Sequence, residues 1–287
     1  MKTIQKKEIK KLNSGILYGV GTEIDNWLNR LLPDGWKKGQ APHFSHKSTY
    51  LALLKTGFND PVDMDSLIRS IDERIRRNLA ERIRSSESFE NWRFLARLDI
   101  DPNNKSPEVR LERAIINQQK RNEWANQSPV ASGLLGPDSD KGRHVDLVRE
   151  IARDSIYELI ELKWHANNPF FAAMEILCYS IVYLLCREKY SQQDNQILKA
   201  KTIRLRVLAP SDYYRPTDSK KTLQQLQTNI TAAIEKFAKR FEVNMDFCFR
   251  EIPDCSNPKD VSDERLKFEA EKIVKVGRES ELPSLSN

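Results

Sequence analysis

The chain has 287 residues, 39% hydrophobic and 31% charged, a balance that suits a soluble globular protein built from one large or two ordinary domains. Its formal net charge is +6, and the excess lies in residues 1–100, which carry 18 Lys and Arg against 13 Asp and Glu; such a bias is compatible with a nucleic-acid partner but does not demand one. Cys178, Cys186, Cys248 and Cys255 form no Cys-x-x-Cys pair, which argues against a zinc site and a disulfide framework and points to a reducing, cytoplasmic setting.

The N-terminal run MKTIQKKEIKKL is basic and lacks the apolar stretch of a signal peptide; it reads as a solvated helix or an arm along a nucleic-acid backbone. Apolar positions between Ile16 and Trp36, among them Trp27, Leu28, Leu31 and Leu32, predict a helix closed by Pro33-Asp34-Gly35. His43 and His46 fall in a loop with no further His or Cys nearby. A short helix over Ser48–Lys55 ends at Gly57. Leu67, Ile68, Ile71, Ile75, Leu79 and Ile83 recur at helical spacing, so Met64–Arg84 reads as a long helix whose other face mixes arginines with acids, as a salt-bridged surface does. Glu87–Leu98 reads as a further helix packed through Trp92, Phe94 and Leu95. Residues 1–100 are thus expected to be an all-helical domain, followed by a linker from Asp99 to Lys105.

Ser106-Pro107-Glu108 has the cap, the first-turn proline and the acid of a helix start, and sets Glu108 and Glu112 on one face. Ser128–Leu135 predicts a strand bent at Gly133, and Pro137–Gly142 a turn. Two strands follow, Val145-Asp146-Leu147-Val148 and Tyr157–Trp164, joined across Glu150–Ser155. Pro169–Cys186 is apolar apart from Glu175 and is flanked by Asn167-Asn168 and Arg187-Glu188-Lys189. A carboxylate is costly in lipid, so this stretch is expected to be a helix buried in a soluble fold, with no membrane partner. Thr202–Ala209 alternates apolar and basic residues and reads as a strand, Leu223–Phe241 as an amphipathic helix, and Val243–Ile252 as a closing strand. Residues 258–287 turn polar and read as a tail, in which Ser262–Val276 forms a solvated helix.

Side chains two apart on a strand share a face. Glu161 and Lys163 therefore point the same way, with Leu162 opposite, and a paired neighbouring strand sets Asp146 beside them. Two carboxylates and an ammonium are costly to gather unless a cation compensates them. Two carboxylates can hold a hard ion such as Mg²⁺ that keeps several waters. The ion stabilises charge on a phosphate and lowers the pKa of a bound water, and a lysine can orient that water or help deprotonate it.

The order helix, three strands, helix, strand, helix, strand over residues 106–252, with a glutamate helix before Asp146 and Glu161-Leu162-Lys163, resembles the PD-(D/E)XK nuclease superfamily. The resemblance covers about half the chain, and Val145 stands where a proline is common in that family. It implies an α/β, restriction-endonuclease-like mixed sheet flanked by helices over residues 101–257, with the all-helical domain ahead of it. It further implies a Mg²⁺- or Mn²⁺-dependent phosphodiesterase. Asp146, Glu161 and the Leu162 carbonyl would hold the metal, Lys163 would serve catalysis, and Glu112, in preference to Glu108, would add a helix carboxylate. Glu108, Glu175 and Tyr179 are supporting candidates. Arg143, His144, His165 and Asn167 flank the strands as candidate phosphate contacts. The expected partner is DNA, with a homodimer or a partner protein as further associations. Two competing readings are a nuclease-like module that binds nucleic acid or protein without catalysis, and a helical interaction protein.

Overall fold

The computed structural model describes residues 14–32, 41–57, 63–81, 91–98, 104–119, 122–153, 155–164, 168–189, 194–214, 219–253, 255, 262–279 and 284–285. These residues form seven α-helices and five strands: α1 (Val20–Leu31), α2 (Lys47–Thr56), α3 (Met64–Glu81), α4 (Pro107–Gln118), β1 (Trp124–Pro129), β2 (His144–Ala152), β3 (Ile156–Leu162), α5 (Pro169–Lys189), β4 (Thr202–Ala209), α6 (Ser219–Ala238), β5 (Asn244–Glu251) and α7 (Asp263–Glu279). The strands make one sheet in the order β1-β2-β3-β4-β5. The first three pair antiparallel, while β3, β4 and β5 run parallel. The short turn after Ala152 permits the antiparallel β2–β3 pair. Parallel neighbours need a crossover, which α5 and α6 provide. The chain is therefore a mixed α/β protein with a five-stranded mixed sheet flanked by helices.

Each face of the sheet has its own apolar layer. On one face Tyr157, Leu159, Leu205, Val207, Phe247 and Phe249 meet α5 and α6. Every residue from Pro169 to Cys186 is buried. Helix α5 is long and apolar enough to cross a membrane, but the whole of its apolar stretch is enclosed by protein. The N-terminal helices share this layer. Trp27 stacks on Phe170 with ring centroids 6.2 Å apart, and Phe44 on Phe171 at 5.6 Å. On the opposite face Leu147, Ile160, Leu162 and Leu208 meet α4 and α7.

Three expectations are corrected. Residues 91–98 are a turn and an irregular strap rather than a helix; residues 87–90 lie outside the described residues. The strap runs along the β1 edge, where the Trp92 N–H donates to Pro129 O at 2.7 Å and the Arg97 N–H to Asn126 Oδ1 at 2.7 Å. Paired edges are the alternative to an exposed ladder, and here β1 supplies the strap's partners. The strand expected at 128–135 is displaced to Trp124–Pro129. Residues 130–142 instead close on themselves, with the Gly133 N–H donating to Ser139 O at 3.0 Å. Finally, α7 is not solvated, because Leu266, Ala270, Ile273 and Val274 are buried against α4 and the sheet. On α3, Arg76 of the expected salt-bridged face pairs with Asp72 and Glu188, and Arg74 pairs with Glu23; Arg82 and Arg84 lie outside the described residues.

Candidate functional site

Period-two alternation on β3 places Tyr157 and Leu159 in the α5 layer, and Ile160 and Leu162 in the opposite one. Glu161 and Lys163 follow the first set. Lys163 Nζ donates to Glu161 Oε1 at 2.7 Å and to Glu175 Oε2 of α5 at 2.9 Å. All three residues are buried, with 2%, 5% and 1% exposure for Glu161, Lys163 and Glu175. One turn along α5, the Tyr179 hydroxyl donates to Glu175 Oε1 at 3.2 Å. Burial alone would pull Lys163 below the ordinary lysine range, but the charges of Glu161, Glu175 and Asp146 outweigh it and hold the ammonium well above that range. Burial, then the charge of Glu175, pushes the Tyr179 phenol up, so it stays a neutral donor.

Asp146 joins from β2. The β2–β3 ladder runs as far as Leu147 opposite Ile160. One step further, Asp146 falls across from Glu161, and its carboxylate takes over the pairing: the Leu162 N–H donates to Asp146 Oδ2 at 2.9 Å. The N–H and C=O of one strand residue point to the same edge, so the Leu162 carbonyl is turned toward β2 as well. The same row continues onto β1. Asn126 pairs with Leu147 and Ser128 with Val145, which leaves Gln127 opposite Asp146. Gln127 has a left-handed φ of 49°, and its Nε2 donates to Glu112 Oε2 of α4 at 2.5 Å. Strained backbone of this kind collects at bulges and functional sites.

The helix glutamates divide their tasks. Glu112 is 1% exposed and is carried toward the row by Gln127. Glu108 instead braces the exit of β3: its Oε1 accepts from the Trp164 N–H at 3.1 Å and its Oε2 from Ser106 Oγ at 2.7 Å. Arg143 is 4% exposed and committed internally. It pairs with Asp140 at 2.7 Å and donates to Ser14 O at 2.8 Å. Gly15 lies so close to this turn that a Cβ there would stand 2.0 Å from Asp140 Oδ1, at a φ of +56° that favours glycine. Arg143 thus ties the N-terminal segment down ahead of Asp146, and presents no free guanidinium to phosphate. His144 opens β2 and is half-buried. His165 and Asn167 lie outside the described residues.

The donor set is oxygen throughout: two strand carboxylates, one main-chain carbonyl and a nearby helix carboxylate, the chemistry that suits Mg²⁺ or Mn²⁺. Among the described residues, no three His, Cys, Asp or Glu side chains are gathered around one point at ligating distance. Instead Lys163 bridges Glu161 and Glu175. Gln127 is the residue that sequence reasoning missed at this row, and a glutamine before a serine carries no signal of its own. Compared with protein-family models, with curated proteins and with solved structures, the chain matches none.

Proposed function

We infer that the protein is a metal-dependent nuclease of the PD-(D/E)XK kind, hydrolysing phosphodiester bonds in DNA. One observation carries this reading: Asp146, Glu161 and Lys163 converge where β2 and β3 part, with the Leu162 N–H held by Asp146. The helix, three strands, helix, strand order and the antiparallel-then-parallel pairing support the restriction-endonuclease-like fold. Two buried carboxylates, Glu161 and Glu175, and the half-buried Asp146 around one ammonium also favour a site built for a cation.

Asp146, Glu161 and the Leu162 carbonyl would hold Mg²⁺ or Mn²⁺, with Glu112 in support. Bound there, the ion supplies Lewis-acid stabilisation of charge on the phosphate and a more acidic water. The chain's own residues do the rest. Asp146 fixes the β3 exit through the Leu162 N–H. Glu175, itself held by Tyr179, keeps a partner for Lys163 when Glu161 turns to another cation. Lys163, held as an ammonium, offers positive charge to a phosphate oxygen rather than serving as a base.

The test is incubation of the wild type and Asp146→Ala with linear, nicked, circular and single-stranded DNA and with RNA, each with Mg²⁺, Mn²⁺ or chelator. Ion-dependent cleavage by the wild type alone is the expected result. No cleavage in any ion, together with no ion-dependent change in thermal midpoint, would sink it. That outcome would favour the second reading, a module that binds without catalysis. The observation behind this alternative is that Lys163 is already consumed by two buried carboxylates.

A further inference from the structure

The 3-10 turn Ser211–Tyr214 follows β4 directly. Because β4 runs parallel to β3, with Leu208 beside Leu162, the turn emerges at the same end of the sheet as Glu161 and Lys163. The turn is rigidly held. The Tyr213 N–H donates to Pro210 O at 2.9 Å, and the Tyr214 hydroxyl is shared between Val207 O at 2.8 Å and Arg250 O at 3.1 Å. The Tyr213 ring stands edge-on to Tyr214 with centroids 5.3 Å apart.

The ring of Tyr213 is partly exposed, but its hydroxyl oxygen is closed off from solvent and makes no hydrogen bond with the described residues. Burial, more than any charge, pushes this phenol well up, so it is a neutral donor; Lys163, Tyr50, Glu175 and Glu161 are the groups that act on it. Buried polar groups are nearly always paired, and leaving one unmade is destabilising. An enclosed donor left unpaired at the end of the sheet that carries Glu161 and Lys163 is poised for something that arrives from outside.

We propose that Tyr213 is a ligand-contacting residue whose phenolic O–H is reserved for an anionic oxygen of the nucleic-acid phosphate, at the same end of the sheet as the Lys163 ammonium. This assignment rests on the nuclease reading above. Tyr213→Phe removes only the hydroxyl, so the full-length variant should fold with a thermal midpoint equal to or above that of the wild type. Its affinity for a short DNA duplex in Ca²⁺, read by fluorescence anisotropy, should fall about tenfold, the factor expected for one lost hydrogen bond to a charged group. Its cleavage rate in Mg²⁺ at limiting DNA should fall by at least the same factor. Wild-type affinity and cleavage in the variant would overturn the proposal while leaving the nuclease reading intact. A lowered midpoint would show an internal partner for the hydroxyl and overturn it as well. A wild type that neither binds nor cleaves DNA would remove both readings together.

Discussion

Lys163→Met tests the charge balance of the site most directly. Methionine matches the lysine stem in length and removes only the ammonium. Lys163 is 5% exposed and donates to two carboxylates at 2.7 and 2.9 Å, both on residues that are nearly fully buried. Breaking a buried pair by removing one partner leaves uncompensated charge and costs about 3–5 kcal/mol. For a chain of this size that is a drop in thermal midpoint of roughly 6–12 °C. The pH dependence carries the sharper test. In the wild type, Lys163 is held well above the ordinary lysine value of 10.5, so its contribution is fully present below that value and is lost only as pH rises beyond it. Between pH 5.5 and 8 it is flat. In the variant, Glu161 and Glu175 face each other without a cation, and their folded-state pKa values rise above the unfolded ones. Stability from such groups is present at low pH and lost as pH rises. The deficit relative to wild type should therefore be largest at pH 8 and shrink toward pH 5.5, read from urea midpoints in chelator. A deficit under about 1 kcal/mol at pH 8, the range of an exposed pair, would refute the reasoning, as would one that does not change with pH.

Asp146→Asn keeps an acceptor for the Leu162 N–H, so stability should change by less than about 1 kcal/mol while Mg²⁺-dependent cleavage falls at least ~100-fold, checked by calorimetry beside a nuclease assay. Glu108→Ala should cost about 1–3 kcal/mol, since it strands the Trp164 N–H, and leave the half-saturating Mg²⁺ concentration unchanged. Glu112→Ala should raise that concentration several-fold, and Gln127→Ala should do the same to a smaller degree. A different carboxylate lies away from the site. Burial raises Asp25 from 3.8 to about 6, against the opposing Phe44 N–H and the charge of His46. Its stabilisation is thus fully present below about pH 3.8 and lost as pH rises through 6, a gain on acidification of about 1–2 kcal/mol after allowance for its partial exposure. Asp25→Asn, which still accepts from Phe44, should abolish that slope in urea titrations at pH 4.5 and 7.5.

What the sequence made legible is what depends on local spacing. Period-two alternation and a short hairpin are enough to bring Asp146 across from Glu161 and to turn Lys163 the same way, because both strands are adjacent in the chain. Glu175 was visible as the one carboxylate inside an apolar helix. Its pairing with Lys163 required the crossover that returns α5 over β3. Helix α7 failed by averaging: Leu266, Ala270, Ile273 and Val274 recur at helical spacing, but the polar residues between them hide the stripe until α4 offers it a partner. The strap at 91–98 failed for the opposite reason. Phe94 packs edge-on against Tyr157 and Trp92 against Tyr183, contacts that suit a helix or an extended chain equally until the β1 edge decides.

Gln127 and Tyr213 lay beyond such reasoning because neither is marked by residue type. Gln127 matters through a left-handed φ at the register opposite Asp146, and Tyr213 through a hydroxyl enclosed at the end of a parallel strand. Both properties arise only when elements distant in sequence are brought together. The same convergence explains the closed form of the site. Asp146, Glu161 and Glu175 come from three elements, and Lys163 is the cation that lets Glu161 and Glu175 be buried together, while the half-buried Asp146 acts on the same ammonium. A divalent ion at Glu161 would compete with Lys163 for that carboxylate, while Glu175 keeps a carboxylate on the ammonium. On the nuclease reading, the retained partner would allow one lysine both to stabilise the fold without metal and to stay charged beside a phosphate with it.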